Sequence, residues 1–225
     1  MAAVDKQLLS RLTHHVRNPF NGIIGFSDLL ANHFEKLSDE DKINYIHIVH
    51  QQSKKALLRS ENLAWWLKFY TNNITAVAQK FDLADLIKDE LNYFNNEIQK
   101  QHLDLMLDLD ESAFVKTDRM ILQGVIKNLL LNVIEFTPVA GYVQIITSNK
   151  FDENLVQLTI TNVYAEKPSE ETMMFIKNTD ETVFNTMPDN PGLWTVKMLC
   201  GLLNINFSMD LKDDQVEVTL LINIA

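Results

Sequence analysis

Leu12-Thr-His-His-Val-Arg-Asn-Pro-Phe-Asn-Gly-Ile-Ile-Gly-Phe-Ser-Asp-Leu-Leu30 is the stretch whose reading decides the fold. Leu9, Leu12, Val16, Pro19, Ile23, Phe26 and Leu30 recur at alternating spacings of three and four. That spacing is the a/d seam of a helix packed against other helices. On this register His14 falls at f and His15 at g. Position f points away from the seam, which is not where a core histidine sits. Pro19 has no N–H to give the carbonyl of His15, so the turn after the histidine pair is weakened. An outward histidine beside a weakened turn is presented to something outside the helix pair.

Working outward, residues 4–35 read as one long helix and residues 39–70 as a second. Ser38 with Asp41 three residues on makes a capping box with a shorter acid than usual. Ile43, Ile46, Val49, Ala56, Leu57, Leu63, Ala64 and Leu67 give the second helix a broad apolar face. Two antiparallel helices cover only half of such a face. Pairing two hairpins into a four-helix bundle buries it, so a homodimer is expected. His47 and His50 are spaced i, i+3, but no carboxylate or cysteine cluster joins them, so they read as helix-surface histidines. Trp65 and Trp66 read as packing residues.

Thr71-Asn-Asn73 is a polar break. The expected division is a helical hairpin over 1–71 and an α/β sandwich over 74–225. In the second part, Thr75–Lys80 reads as a short strand, and Asp82 caps a helix to about Gln101. Leu103–Leu109 alternates as a strand, and Asp118 opens a helix to Phe136. Tyr142–Ser148 and Leu155–Thr161 form a hairpin around Asp152-Glu-Asn154. Residues 163–191 read as a long polar loop. Leu193–Leu203 is a helix, and Asn206–Leu211 with Val216–Asn223 closes the sheet. The fold class is α+β.

Composition narrows the functions. The chain has 225 residues, 46% of them hydrophobic, and a net charge of −10. Such an acidic chain is repelled by nucleic acid and by anionic membranes, so neither is an expected partner. Cys200 is the only cysteine, which excludes an internal disulfide and fits a reducing compartment. Within Val196-Lys-Met-Leu-Cys-Gly-Leu-Leu203 it reads as a small buried hydrophobe. No apolar run of about 18 residues is present to span a membrane. The start, Met-Ala-Ala-Val-Asp-Lys, has no apolar leader, so a cytoplasmic location is expected.

His14-x-x-Arg17-Asn18-Pro19, followed by Ile23-x-Gly25-Phe26-x-x-Leu29-Leu30, resembles the H-box of two-component sensor histidine kinases. The resemblance makes His14 the phosphoacceptor, with Arg17 in the motif. His15 stands where the family carries an acid, as a possible helper base. A second match lies downstream. Asp118-x-x-x-Leu122-x-x-Val125-Ile126-x-Asn128-Leu129-Leu130-x-Asn132, ending in Phe136-Thr-Pro138, is similar to the N-box of the HATPase-like catalytic domain. Asn128 and Asn132 then share a helix face, and Asn132 would help hold Mg²⁺ on ATP phosphates, as oxygen ligands suit that hard ion.

The sequence then departs from the family. The Asp that reads adenine is replaced by Asn162, and Val163-Tyr-Ala-Glu166 stands where glycines are expected. In the Gly-rich stretch, Pro188-Asp-Asn-Pro-Gly192, only Gly192 remains. Pro188 and Pro191 remove backbone donors that phosphate uses, and Asp189 adds negative charge. Glu135 stands where a basic residue is usual, and Trp194 where a small one is. Three readings follow from the resemblance. In the first, His14 relays a phosphoryl group between receiver-domain aspartates of response regulators, with no cofactor of its own. In the second, the chain is an ATP- and Mg²⁺-dependent histidine kinase, with Asn128, Asn132, Asn162 and Gly192 at the nucleotide. In the third, it is a pseudokinase serving only as a dimeric interaction module.

Overall fold

Lys6–His33 forms one continuous helix, α1, which runs through Pro19 without a break. A single 3₁₀ turn at Phe34–Lys36 reverses the chain, and α2 spans Asp39–Tyr70. This is a computed structural model; it describes residues 6–71, 74–177 and 191–225, with side chains from Arg17 onward. Of the α1 seam, Pro19 is buried and Ile23, Phe26 and Leu30 are half-buried; the side chains of Leu9, Leu12 and Val16 lie outside the described residues. The Phe26 ring meets Tyr45 of α2 at 5.2 Å between centroids. Ser38 caps α2: its Oγ accepts the Asp41 N–H at 3.1 Å and donates to Asp41 Oδ2 at 2.6 Å. The acid of the capping box therefore takes the serine hydroxyl proton rather than reaching back to a backbone N–H.

The broad apolar face expected on α2 divides in two. Ala56 and Trp66 are buried, with Val49 and Leu63 half-buried beside them. Ile43, Ile46, His50, Ser53, Leu57, Ser60, Ala64 and Leu67 form a second heptad line, and every one of them is exposed. On α1, Phe20, Ile24, Ala31 and Phe34 (the last on the 3₁₀ turn) are exposed too. Ser53 Oγ and Ser60 Oγ donate to the carbonyls of Val49 and Ala56, each at 2.8 Å. Those hydroxyls can therefore be covered without stranding a donor. Trp66 stacks on Tyr70, and Lys68 Nζ lies 5.0 Å from the centre of the Trp65 ring.

The described residues fall into two compact units, the second beginning at Ile74. In that unit β1 is Gln79–Asp82, α3 Leu83–Tyr93, α4 Asn95–Lys100, β2 Asp104–Asp108, β3 Phe114–Thr117 and α5 Arg119–Phe136. Then come β4 Tyr142–Lys150, β5 Leu155–Val163, α6 Glu170–Lys177, α7 Pro191–Leu203, β6 Asn206–Lys212 and β7 Gln215–Asn223. The main sheet has order β2-β4-β5-β7-β6, with only the β2–β4 pair parallel. Alternation puts Val143 and Ile145, Val156, Leu158 and Ile160, and Val218, Leu220 and Ile222 on the core face. Buried Ile121, Leu122, Val125, Ile126 and Leu129 of α5 and Val196, Met198 and Leu199 of α7 complete that core.

Four expectations change. The strand near residue 75 begins only at Gln79, where pairing with β3 starts; β3 itself was not anticipated, because four residues carry little periodicity. The helix opened by Asp82 breaks at Phe94, whose side chain is buried and whose backbone sits at φ −99° and ψ 8°. The loop over 163–191 contains α6, capped by Ser169, whose Oγ accepts the Thr172 N–H at 3.2 Å. Residues 178–190, including Pro188 and Asp189, lie outside the described residues. Cys200 is buried as expected, and desolvation pushes its thiol far above the ordinary range.

Glu90 of α3 is only 2% exposed. Gln123 of α5 donates to its Oε1 at 2.6 Å, while Oε2 is buried without a hydrogen-bond partner. Burial raises its pKa, with Asp89 adding to the rise and Gln123, Lys127 and Arg119 opposing it. An acid whose folded pKa is raised stabilises the fold fully below its unfolded pKa and loses that contribution as pH rises through the folded pKa. Glu90→Gln should therefore gain stability relative to wild type between mildly acidic and neutral pH, and match it near pH 4. Thermal unfolding across that range checks this; about 1 kcal/mol would read as about 2–4 °C. A wild-type-minus-variant difference that stays flat with pH would refute it.

Candidate functional site

The sheet of the second unit, together with α5, α6 and α7, encloses a cavity of about 370 Å³. This lies in the size range of ligand pockets. Leu129, Val133 and Phe136 line it from α5, Ile160 from β5, Leu193 from α7, and Met209, Val216 and Val218 from the far strands. Asn132, Asn162 and Tyr164 bring polar groups, and Glu166, Lys167 and Pro168 form one side.

Strand alternation places Asn162. It follows Val156, Leu158 and Ile160 on the core face and is 6% exposed. Its Nδ2 donates to Thr137 Oγ1 at 3.0 Å and to the Val163 carbonyl at 2.8 Å. An amide nitrogen has two protons, and both are engaged. What Asn162 has left to offer the cavity is its carbonyl oxygen, Oδ1. The polarity is that of an acceptor, as in the carboxylate the family uses, without the charge. Thr137, quoted in the sequence motif without a role of its own, is buried and follows α5 as its C-cap. Its turn closes on Gly141, where an added Cβ would fall 2.6 Å from Thr137 Cγ2 and 2.8 Å from the Pro138 carbonyl. Only glycine fits so close an approach.

The segment after β5 is held back across the end of α5. Ala165 N–H donates to the Phe136 carbonyl at 2.9 Å, and Tyr164 Oη donates to the Asp213 carbonyl at 2.8 Å. Tyr164 thus ties this exit to the β6–β7 turn, a use for a side chain where the family pattern has glycine.

The other candidate residues separate. Asn128 is 1% exposed and does not line the cavity; its Nδ2 donates to the Gly124 carbonyl at 2.8 Å. Asn132, one turn on, is half-buried and lines the cavity, with Nδ2 donating to the Asn128 carbonyl at 2.8 Å. Sequence spacing put both amides on one face; the packing of α5 buries Asn128 and leaves only Asn132 lining the cavity. Gly192 lies at the start of α7, one residue before Leu193, and does not itself line the cavity. Lys167, exposed and next in sequence to Glu166, is the only cation among the described lining residues. On the hairpin, Arg17 is exposed. His14 and His15 lie on α1, and their side chains lie outside the described residues. Asn21 and Asp28, at f positions one and two heptads after His14, are both exposed.

No family model matches the chain. Among curated proteins, it is 25% identical over 159 residues to the non-motile and phage-resistance protein of Caulobacter vibrioides, covering 69% of this chain and 19% of that one. To the sensor protein EvgS of Escherichia coli it is 26% identical over 211 residues, covering 92% of this chain and 17% of that one. The chain thus spans less than a fifth of these relatives. Among solved structures, the Acinetobacter baumannii histidine kinase AdeS superposes with a TM-score of 0.67 at 17% identity, over 94% of this chain and 98% of that one. The histidine kinase ThkA, solved in complex with the response regulator protein TrrA, gives 0.65 at 20% identity, over 98% of this chain and 62% of that one. The fold is that of a histidine-kinase core, a helical hairpin followed by a HATPase-like α/β sandwich. The chain is similar to sensor histidine kinases of two-component signalling. No helix among the described residues is long and apolar enough to cross a membrane.

Proposed function

We propose that this chain is a dimeric phosphotransfer protein in which His14 accepts a phosphoryl group from one receiver-domain aspartate and passes it to another. The observation that carries the reading is the register of α1. Pro19, Ile23, Phe26 and Leu30 face inward as the seam requires, and the f positions Asn21 and Asp28 face out. On the same spacing His14 falls at an f position, five residues before Pro19. Transfer needs a neutral imidazole nitrogen as nucleophile. A receiver supplies the phosphoryl donor and its own Mg²⁺, so this chain needs no ATP. The exposed line Ile43, Ile46, Leu57 and Leu67 supports the dimer, as does the ThkA–TrrA complex for a receiver partner.

An ATP-dependent kinase is the second reading. What favours it is a cavity that keeps Asn132 and an acceptor at Asn162. Against it stand the uncharged Asn162, the Tyr164 and Glu166 side chains in place of glycines, and Asn128 sealed within the α5 packing. Each lost hydrogen bond to a charged group removes roughly 1.5–3 kcal/mol. Two such losses take a Kd of tens of micromolar to millimolar or weaker, at about tenfold per 1.4 kcal/mol. Calorimetry with Mg²⁺–ATP should therefore give millimolar or weaker binding. Micromolar, Mg²⁺-dependent binding would establish the kinase reading instead.

The deciding experiment incubates the protein with purified phosphorylated receiver domains and follows acid-labile phosphate on His14. Label reaching His14 without ATP supports the relay; label only with ATP supports the kinase; none with either leaves the pseudokinase.

A further inference from the structure

We infer that Met106 is a site of reversible oxidation, at which hydrogen peroxide converts the thioether to a sulfoxide that Tyr142 and Gln144 hold in place. The inference stands apart from the phosphotransfer reading and from the cavity.

β2 is an edge strand of the main sheet, paired on one side only, with β4. Met106 lies opposite Gln144 in that parallel register, and Tyr142 stands opposite Asp104, two residues back. Alternation sends Val143 and Ile145 to the core, so Tyr142, Gln144 and Met106 share the opposite face. On that face two donors converge on one sulfur. Tyr142 Oη donates to Met106 Sδ at 3.3 Å, and Gln144 Nε2 donates to it at 3.4 Å. Among the described methionines, only Met106 receives hydrogen bonds at its sulfur.

A thioether is a weak acceptor. A phenol and an amide aimed at it are therefore poorly matched while the sulfur is reduced. The sulfoxide is polar, and its oxygen is a far better acceptor for the same two donors. Oxidation of a methionine ordinarily sets a polar group among apolar neighbours and weakens the fold. Here the new oxygen meets donors already present, and the unbranched side chain can turn to place it between them. The product ties an edge strand more firmly to its one neighbour.

The sulfur is reachable. Met106 is 48% exposed, against 1% for Met198 and 4% for Met209. In the forward step the sulfur lone pair attacks one peroxide oxygen and forms the S–O bond. The O–O bond breaks, and the leaving hydroxide takes the proton from the sulfur-bound oxygen and departs as water. Sulfur is oxidised and the peroxide reduced. A dithiol reverses the step: it is oxidised to a disulfide, and its two protons leave with the sulfoxide oxygen as water.

The test treats the full chain with millimolar hydrogen peroxide, locates the added oxygen by peptide mass spectrometry and follows thermal unfolding. Met106 should be oxidised along with exposed Met120 and Met174, and before buried Met198 and Met209. Met106→Leu, treated in the same way, subtracts the effect of the other methionines. Relative to that variant, oxidation should raise the wild-type Tm by about 2–4 °C, the shift expected for one improved hydrogen bond in a protein of this size. In Tyr142→Phe with Gln144→Leu the gain should vanish or reverse, with circular dichroism checking the fold. Should that double variant fail to fold, Met106→Gln decides. It sets a carbonyl oxygen near the sulfoxide position and should melt above Met106→Leu without any peroxide; melting at or below it overturns the inference. Both methionine sulfoxide reductases with dithiothreitol should remove the oxygen from Met106 and return the Tm to its untreated value. If Met106 stays reduced while Met120 and Met174 are oxidised, the inference falls. It falls too if oxidation of Met106 fails to raise the Tm, if the shift is the same without the two donors, or if the reductases leave the oxygen in place.

Discussion

Replacing His14 with Gln is expected to abolish phosphoryl transfer from a phosphorylated receiver, whereas His15→Gln should retain it. Glutamine matches much of the size and polarity of histidine but has no nucleophilic ring nitrogen. His14 occupies an f position, and the described f positions on the same helix, Asn21 and Asp28, are exposed. His15 falls at g, on the flank of the hairpin. The g positions that follow it are Gly22, which is half-buried, and Leu29, which is exposed. Where the family has an acid that takes the nucleophile's proton, a neutral imidazole at His15 can do the same near pH 7. General base help of this kind is worth about 10²–10⁴ in rate, so a slowed but measurable transfer in His15→Gln marks it as the helper. Undiminished transfer marks it as a surface residue only. Transfer that survives in His14→Gln and vanishes in His15→Gln would mean that the heptad register is wrong by one residue. Acid-labile label on the purified variants distinguishes these results.

Ile46→Glu with Leu57→Glu is expected to convert the proposed dimer to a monomer without unfolding it. Each side chain is 54% exposed on the hairpin, so the protomer loses little when either becomes charged. In a twofold assembly the pair counts twice. Burying four aliphatic side chains contributes on the order of 6 kcal/mol or more. A micromolar dimer is held by about 8 kcal/mol, so that loss takes the Kd to millimolar or weaker. Four carboxylates brought into the same seam oppose association further. Light scattering at tens of micromolar should find wild-type dimer and variant monomer, with equal helical circular dichroism. A wild-type monomer under those conditions would remove the dimer from the proposed function. It would also leave the exposed line from Ile43 to Leu67 without an account.

Much of this protein is periodic and so legible from the chain. The hairpin follows from apolar spacing on α1 and from Ser38, whose hydroxyl caps α2 as its position requires. The sheet core follows from alternation in β4, β5 and β7, and α5 from the Asp118 cap, which accepts the Met120 and Ile121 N–H groups. Short elements were not legible: β3 has four residues and α6 eight, too few for a period to show against the polar composition around them.

Sequence by itself determined the register of α1, whose described f positions, Asn21 and Asp28, are exposed, because a helical seam is a property of spacing along one chain. Tertiary structure alone decided what the amides do. Asn128 and Asn132 stand four residues apart on one face, yet the packing of α5 on the sheet buries the first and gives only the second to the cavity. Asn162 could be written as a lost carboxylate. Only its contacts with Thr137 and Val163, from a turn and from its own strand, fix which end of the amide faces inward. Spacing sets which side chains share a face; the polarity that a buried amide presents is set by whichever groups the fold places around it.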